Sequence, residues 1–105
     1  MNWEDYKEFH AKVEVTPDYL SNKKDDQLLH AAMGLCGESA EVSELVKKHM
    51  FGKRKPIDYN LVKDELSDVF WYLALGLRAL DIDLEELMAY NAKKLTDRYP
   101  KLAGK

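Results

Sequence analysis

Between Val69 and Leu77 the chain reads Val-Phe-Trp-Tyr-Leu-Ala-Leu-Gly-Leu, a stretch without a single charge. A helix through this stretch is apolar almost all the way round, and such a helix has to be covered on every side. The apolar-rich run extends to Leu80, is 12 residues long and includes Arg78. That is too short to span a bilayer, so the cover has to be protein. A chain of 105 residues allows one domain, residues 1–105. Three or four helices of that length struggle to enclose a central apolar helix. The simplest further cover is a second copy of the chain, so the expectation is a homodimer or homotetramer rather than a monomeric bundle.

The rest of the chain is read from that helix outward. Asp58 caps it and it runs from about Tyr59 to Leu80. A first helix is expected from Trp3 to Val13, capped by Asn2, with Tyr6, Phe9 and Val13 on one face. A loop around Thr16-Pro17-Asp18 follows. A second helix begins near Asp25 or Asp26 and runs toward His49, with apolar positions that include Leu28, Leu29, Ala32, Met33 and Leu45. Gly34 and Gly37 fall inside it, each costing roughly 1 kcal/mol against alanine. Close approach of a neighbouring backbone or a ligand is the usual compensation. Asp83 and Glu86 have the spacing of an acidic capping box for a fourth helix, about Leu84 to Tyr99, which Pro100 stops. No stretch alternates like a half-buried strand. The fold expected is all-α, a bundle of four main helices completed by homo-oligomerisation.

Composition narrows the function classes. The net charge is −3 with Lys and Arg spread along the chain, so no basic field draws in a nucleic acid polymer. The single cysteine, Cys36, cannot form an internal disulfide, and the start Met1-Asn2-Trp3-Glu4-Asp5 is unlike a signal peptide. The expected location is cytoplasmic, with no membrane association. The phosphate-binding pattern Gly-x4-Gly-Lys-Ser/Thr is missing. The basic run Lys53-Arg54-Lys55 reads as a solvated loop that could also attract anions.

Five pairs of acidic residues lie three apart: Asp5/Glu8, Glu38/Glu41, Glu41/Glu44, Glu65/Asp68 and Asp83/Glu86. Most such pairs are solvated faces. Two differ in context. Glu38 and Glu41 sit among Leu35, Cys36, Ala40 and Val42, and Glu65 and Asp68 begin the most apolar helix. At 100° per residue Glu65, Asp68 and Tyr72 fall within about 60° of one another, one polar stripe on a greasy cylinder. Glu38, Glu41 and Lys48 make a similar stripe. Carboxylates gathered between packed helices must take up protons, pair with cations or bind metal. An all-oxygen set points to a hard ion, Mg²⁺ or Mn²⁺. A di-iron bundle needs Glu-x-x-His on two helices, and none of His10, His30 and His49 follows a Glu at that spacing. From the residues alone, a metal site and a set of solvated, lysine-paired carboxylates both stand.

At these residues the chain resembles the MazG-like all-α nucleoside triphosphate pyrophosphohydrolases, in particular short single-domain members similar to dCTP pyrophosphatases. The blocks are Gly34-Leu35-Cys36-Gly37-Glu38-Ser39-Ala40-Glu41-Val42, then Asp64-Glu65-Leu66-Ser67-Asp68-Val69-Phe70-Trp71-Tyr72-Leu73, then Asn91-x-x-Lys94-Leu95-x-x-Arg98-Tyr99-Pro100. Together the resemblance covers about Leu28 to Pro100. It implies hydrolysis of a nucleoside triphosphate, often a dNTP, to the monophosphate and pyrophosphate, in house-cleaning of the nucleotide pool. It implies Mg²⁺ held by Glu38, Glu41, Glu65 and Asp68, with Tyr72, Asn91, Lys94 and Arg98 near the substrate and Lys48 a weaker candidate. Many members carry a Glu where this chain has Gly37.

A triphosphate has about four negative charges, which the carboxylates would repel without a metal between them. Splitting the bond between the α- and β-phosphates needs an in-line water, activated by Glu41 or Glu38. Lys94 and Arg98, four apart, would grip phosphate oxygens. The base could stack on Trp3, Tyr6, Phe9 or Trp71, although aromatics at helical spacing are more often core, and Trp71 is expected as buried packing. Two alternatives remain: a non-catalytic helical interaction module, and a hydrolase of another pyrophosphate-containing metabolite.

Overall fold

Asn2 starts the first helix by reciprocal capping. Its side chain accepts from the Asp5 backbone N–H at 2.9 Å, and the Asp5 carboxylate accepts from the Asn2 N–H at 3.2 Å. That satisfies two donors a helix start otherwise leaves unpaired. In the computed structural model, which describes residues 1–14, 24–51 and 56–103, four helices follow in order. They are α1 (Trp3–Val13), α2 (Lys24–Phe51), α3 (Tyr59–Leu80) and α4 (Leu84–Arg98). No strand occurs among the described residues. The expected loop at Thr16-Pro17-Asp18 and the basic run Lys53-Arg54-Lys55 lie outside them.

Asp58 caps α3 by accepting from the N–H groups of Asn60 and Leu61. The helix ends on Asp81, whose φ of 54° places it in the left-handed region. The Ile82 N–H then reaches back to the Leu77 carbonyl at 2.9 Å, closing the last turn. Asp83 does not form the expected capping box with Glu86, because its carboxylate is engaged elsewhere. It accepts from the Trp3 indole N–H at 3.2 Å and from the Lys7 ammonium at 3.4 Å. This pair of contacts ties the start of α1 to the start of α4.

The principal packing is α2 against α3, and α1 lies on α3. Trp3, Ala74 and Leu77 form the buried cluster, with Tyr6, Phe70, Leu73, Ile82, Leu84 and Leu87 packed against it. The buried residues of α1 are therefore Trp3 and His10, while Phe9 and Val13, which share a face with Tyr6 at helical spacing, are exposed. Trp3 and His10 are seven apart, two turns, and both meet α3.

The central helix is only partly covered. Ala74, Leu75 and Leu77 are buried, but Phe70, Trp71, Tyr72 and Leu73 are half-buried, and Leu61, Leu66 and Leu80 are exposed. Leu29 and Met33 on α2 are 53% and 68% exposed. In α4 no residue is buried. The radius of gyration is 16.8 Å, against about 13 Å for a compact domain of this length. One chain leaves the bundle open. No described helix is long and apolar enough to cross a membrane.

Candidate functional site

Where α2 and α3 pack, their carboxylates meet. Glu38 from α2 and Glu65 and Asp68 from α3 each present an oxygen, and these oxygens lie within 4.8 Å of one another. Helical periodicity explains the α3 pair: residues three apart share a face, and the four-apart Tyr72 lies on the same side. Glu38 and Glu65 are half-buried at the helix contact, and Asp68 is exposed at its rim.

The cost of this gathering falls on Glu65. Burial raises its proton affinity above the ordinary carboxylate range. A hydrogen bond with Glu38 and the charges of Glu38, Asp68 and Glu41 push the same way. Glu41 is exposed, one turn beyond Glu38, and it acts on Glu65 through its charge. Hard oxygen donors that repel one another are what a divalent cation relieves, so the residues present fit Mg²⁺ or Mn²⁺.

Beside the carboxylates lies a pocket of about 390 Å³ lined by Glu38, Asp68, Trp71 and Tyr72. That volume lies in the range of small-ligand sites. The Tyr72 ring rests on the α2 backbone at Gly34, where an added Cβ would stand 2.1 Å from Tyr72 Cδ1. The close approach expected to compensate one helical glycine is thus a pocket side chain. Gly37 meets nothing within 4 Å.

The other expected residues stand apart from this pocket within one chain. Lys48 is exposed, ten residues beyond Glu38 and so about 15 Å further along α2. Asn91, Lys94 and Arg98 are exposed on α4 and do not line the pocket. Lys94 lines a separate depression with Tyr90, Lys93 and Asp97, and the Arg98 guanidinium lies 5.9 Å from the centre of the Tyr99 ring.

Trp71 departs from the expectation of buried packing, because it is half-buried and lines the pocket. Behind it sits a buried polar group that local sequence does not mark. His10 is fully buried, and its ring stacks on Trp71 with centroids 4.3 Å apart and planes at 29°. Its Nε2–H donates to the Trp71 carbonyl at 2.9 Å, and its Nδ1 accepts from Arg78 at 3.0 Å. Arg78 also pairs with Glu14. Burial holds the His10 imidazole below its ordinary value. Arg78 adds to that, while the Trp71 carbonyl and Glu14 oppose it. The one signal in the sequence was Arg78, a cation inside an apolar run that had to find buried partners.

Comparison with known proteins bears on this arrangement. The family model for the MazG nucleotide pyrophosphohydrolase domain matches residues 27–103. That span holds nearly all of α2 and the whole of α3 and α4, and leaves out α1. A relative, the Gene 37 protein of Mycobacterium phage L5, is 36% identical over 74 residues, which are 68% of this chain. The chain spans 65% of that protein's length. No solved structure matches.

Proposed function

Because the chain belongs to the MazG nucleotide pyrophosphohydrolase family, we propose that it hydrolyses a nucleoside triphosphate, most simply a dNTP, to the monophosphate and pyrophosphate. The role is house-cleaning of the nucleotide pool. The observation that carries this reading is the meeting of Glu38 with Glu65 and Asp68 across the α2–α3 contact, beside a ligand-sized pocket. Mg²⁺, or Mn²⁺ in its place, would be held by these three with Glu41 alongside, and would neutralise phosphate charge.

The chain's own residues supply the rest. Glu41 or Glu38 takes the proton of the attacking water, and Tyr72, fixed over Gly34, borders the substrate. Lys94, Arg98 and Asn91 bind the phosphates, with Lys48 in a lesser role. Since α4 does not bring them to the pocket of its own chain, they are delivered by α4 of a second copy. That assembly, a homodimer or homotetramer, also covers Leu29 and Met33 of α2. On α4 and beyond it covers Met88, Leu95 and Leu102, which recur every seven residues and are all exposed.

Thermal melting tests the reading against that of a helical interaction module. Mg²⁺ with a nucleoside triphosphate whose α–β bridge is non-hydrolysable should raise the melting temperature by several degrees, because such a ligand binds only the native state. A chain whose carboxylates serve only as a docking surface would show no shift with the nucleotide.

A further inference from the structure

Trp71 occupies a particular place beside the carboxylates. It follows Asp68 by three residues and adjoins Tyr72, so both rings lie one turn beyond the carboxylate on its flanks. All three residues, with Glu38, line the same pocket. The two rings meet edge-on, with centroids 5.2 Å apart and planes at 82°. A phosphate chain held at the carboxylates therefore has an aromatic wall immediately next to it.

The wall is braced. The His10 ring stacks on the indole, and the same histidine holds the Trp71 backbone carbonyl. Donating through Nε2 and accepting Arg78 at Nδ1, the imidazole is fixed as one neutral tautomer with no freedom to rotate. Tyr6 adds a third ring, 5.9 Å from His10. A core tryptophan would need no such two-point hold on one side and a pocket on another.

We propose that Trp71 is the base-binding residue of the site, its indole receiving the nucleobase of the triphosphate, and that His10 is a positioning residue that sets the indole for stacking. This rests on the nucleotide pyrophosphohydrolase reading and adds to it the surface that reads the nucleoside. Stacking of a base on an aromatic side chain is sequence-tolerant, since every base has a π-face. Removing the indole should weaken nucleotide binding on the order of ten-fold. Inorganic tripolyphosphate, which has the phosphates and no base, should bind unchanged.

The test titrates the full-length protein with Mg²⁺ and either a non-hydrolysable nucleoside triphosphate or tripolyphosphate, following tryptophan emission and calorimetric affinity. The nucleotide should quench emission and tripolyphosphate should not. Trp71→Leu should abolish the quench and lose about ten-fold in nucleotide affinity with tripolyphosphate affinity retained, which also certifies the fold. His10→Ala should lose nucleotide affinity selectively. His10→Gln, which restores a donor to the Trp71 carbonyl, should recover part of it. Nucleotide binding without quenching, or an equal loss for both ligands in Trp71→Leu, would overturn the proposal and leave the hydrolase reading standing. If the wild-type chain bound neither ligand, both would fall together.

Discussion

The Tyr72 ring occupies the space that a Cβ on Gly34 would need, with three ring carbons within 2.5 Å of that position. The contact runs along one edge of the rigid ring, from Cγ through Cδ1 to Cε1, so the clash cannot be relieved by bending a flexible tip. Gly34→Ala should therefore swing Tyr72 out of the pocket. The alanine's helix preference, about 1 kcal/mol, is opposed by overpacking of about 1–3 kcal/mol. Net destabilisation with at least a ten-fold fall in kcat/KM is expected, measured by urea melts and initial rates. Gly37→Ala meets open space and should instead stabilise the helix by about 1 kcal/mol. A destabilised Gly37→Ala would mean that a neighbour approaches α2 there in the assembled protein.

His10 gives stability a pH dependence of known sign. Its folded-state value is lowered, so as pH falls below the ordinary imidazole value the unfolded chain takes up a proton that the folded chain refuses. Stability should be full above that value, fall as pH drops toward the folded value, and level off below it. The groups facing the ring are the Trp71 carbonyl, Arg78, Glu14 and Tyr6. Thermal melts of wild type and His10→Gln between pH 8 and pH 5 should differ in slope in this direction. Parallel curves would contradict it.

Glu65 has the opposite sign. Its raised value means the folded state holds the proton more tightly, so without metal its contribution is present at low pH and lost as pH rises through the folded value. A divalent cation held by Glu38, Glu65 and Asp68 would replace that proton. Calorimetry of Mg²⁺ binding in buffers of different ionisation enthalpy should show proton release that is greatest just below the raised value, declines as pH rises through it, and is reduced in Glu65→Gln.

Much of this was legible in the residues. The Asn2 and Asp58 caps, the bounds of α1 and α3, and the α3 stripe of Glu65, Asp68 and Tyr72 follow from local chemistry and the 3.6-residue period. What escaped was long-range. Nothing near Asp83 says that its carboxylate will be taken by Trp3 and Lys7, 80 and 76 residues away, and so lost to its own helix cap. Nothing near His10 says that it will be buried against Trp71. Periodicity groups Tyr6, Phe9 and Val13 on one face, but the residues α1 buries are Trp3 and His10. Apolar patterning on α2 and α4 also overstates burial within one chain, where Leu29, Met33, Met88 and Leu95 are exposed, and the proposed second copy would cover them.

Shared sites leave a signature in mixed assemblies. Glu38→Gln and Arg98→Ala should each be nearly inactive alone. Mixed after unfolding and refolding together, they should regain a substantial fraction of wild-type activity, because some sites combine an intact α2 with an intact α4. Sedimentation should show no monomer at micromolar concentration. A stable monomer with full activity would contradict the shared site.

Product analysis decides whether the chain cleaves between the α- and β-phosphates of a nucleoside triphosphate. Canonical and modified NTPs and dNTPs would be incubated with Mg²⁺ and the chain, beside Glu38→Gln and Asp68→Asn controls. Pyrophosphate and the nucleoside monophosphate are expected in equal amounts from at least one nucleotide, abolished by EDTA and reduced at least a hundred-fold in both controls. Orthophosphate as the first product, or turnover that survives loss of Glu38 and Asp68, would contradict it.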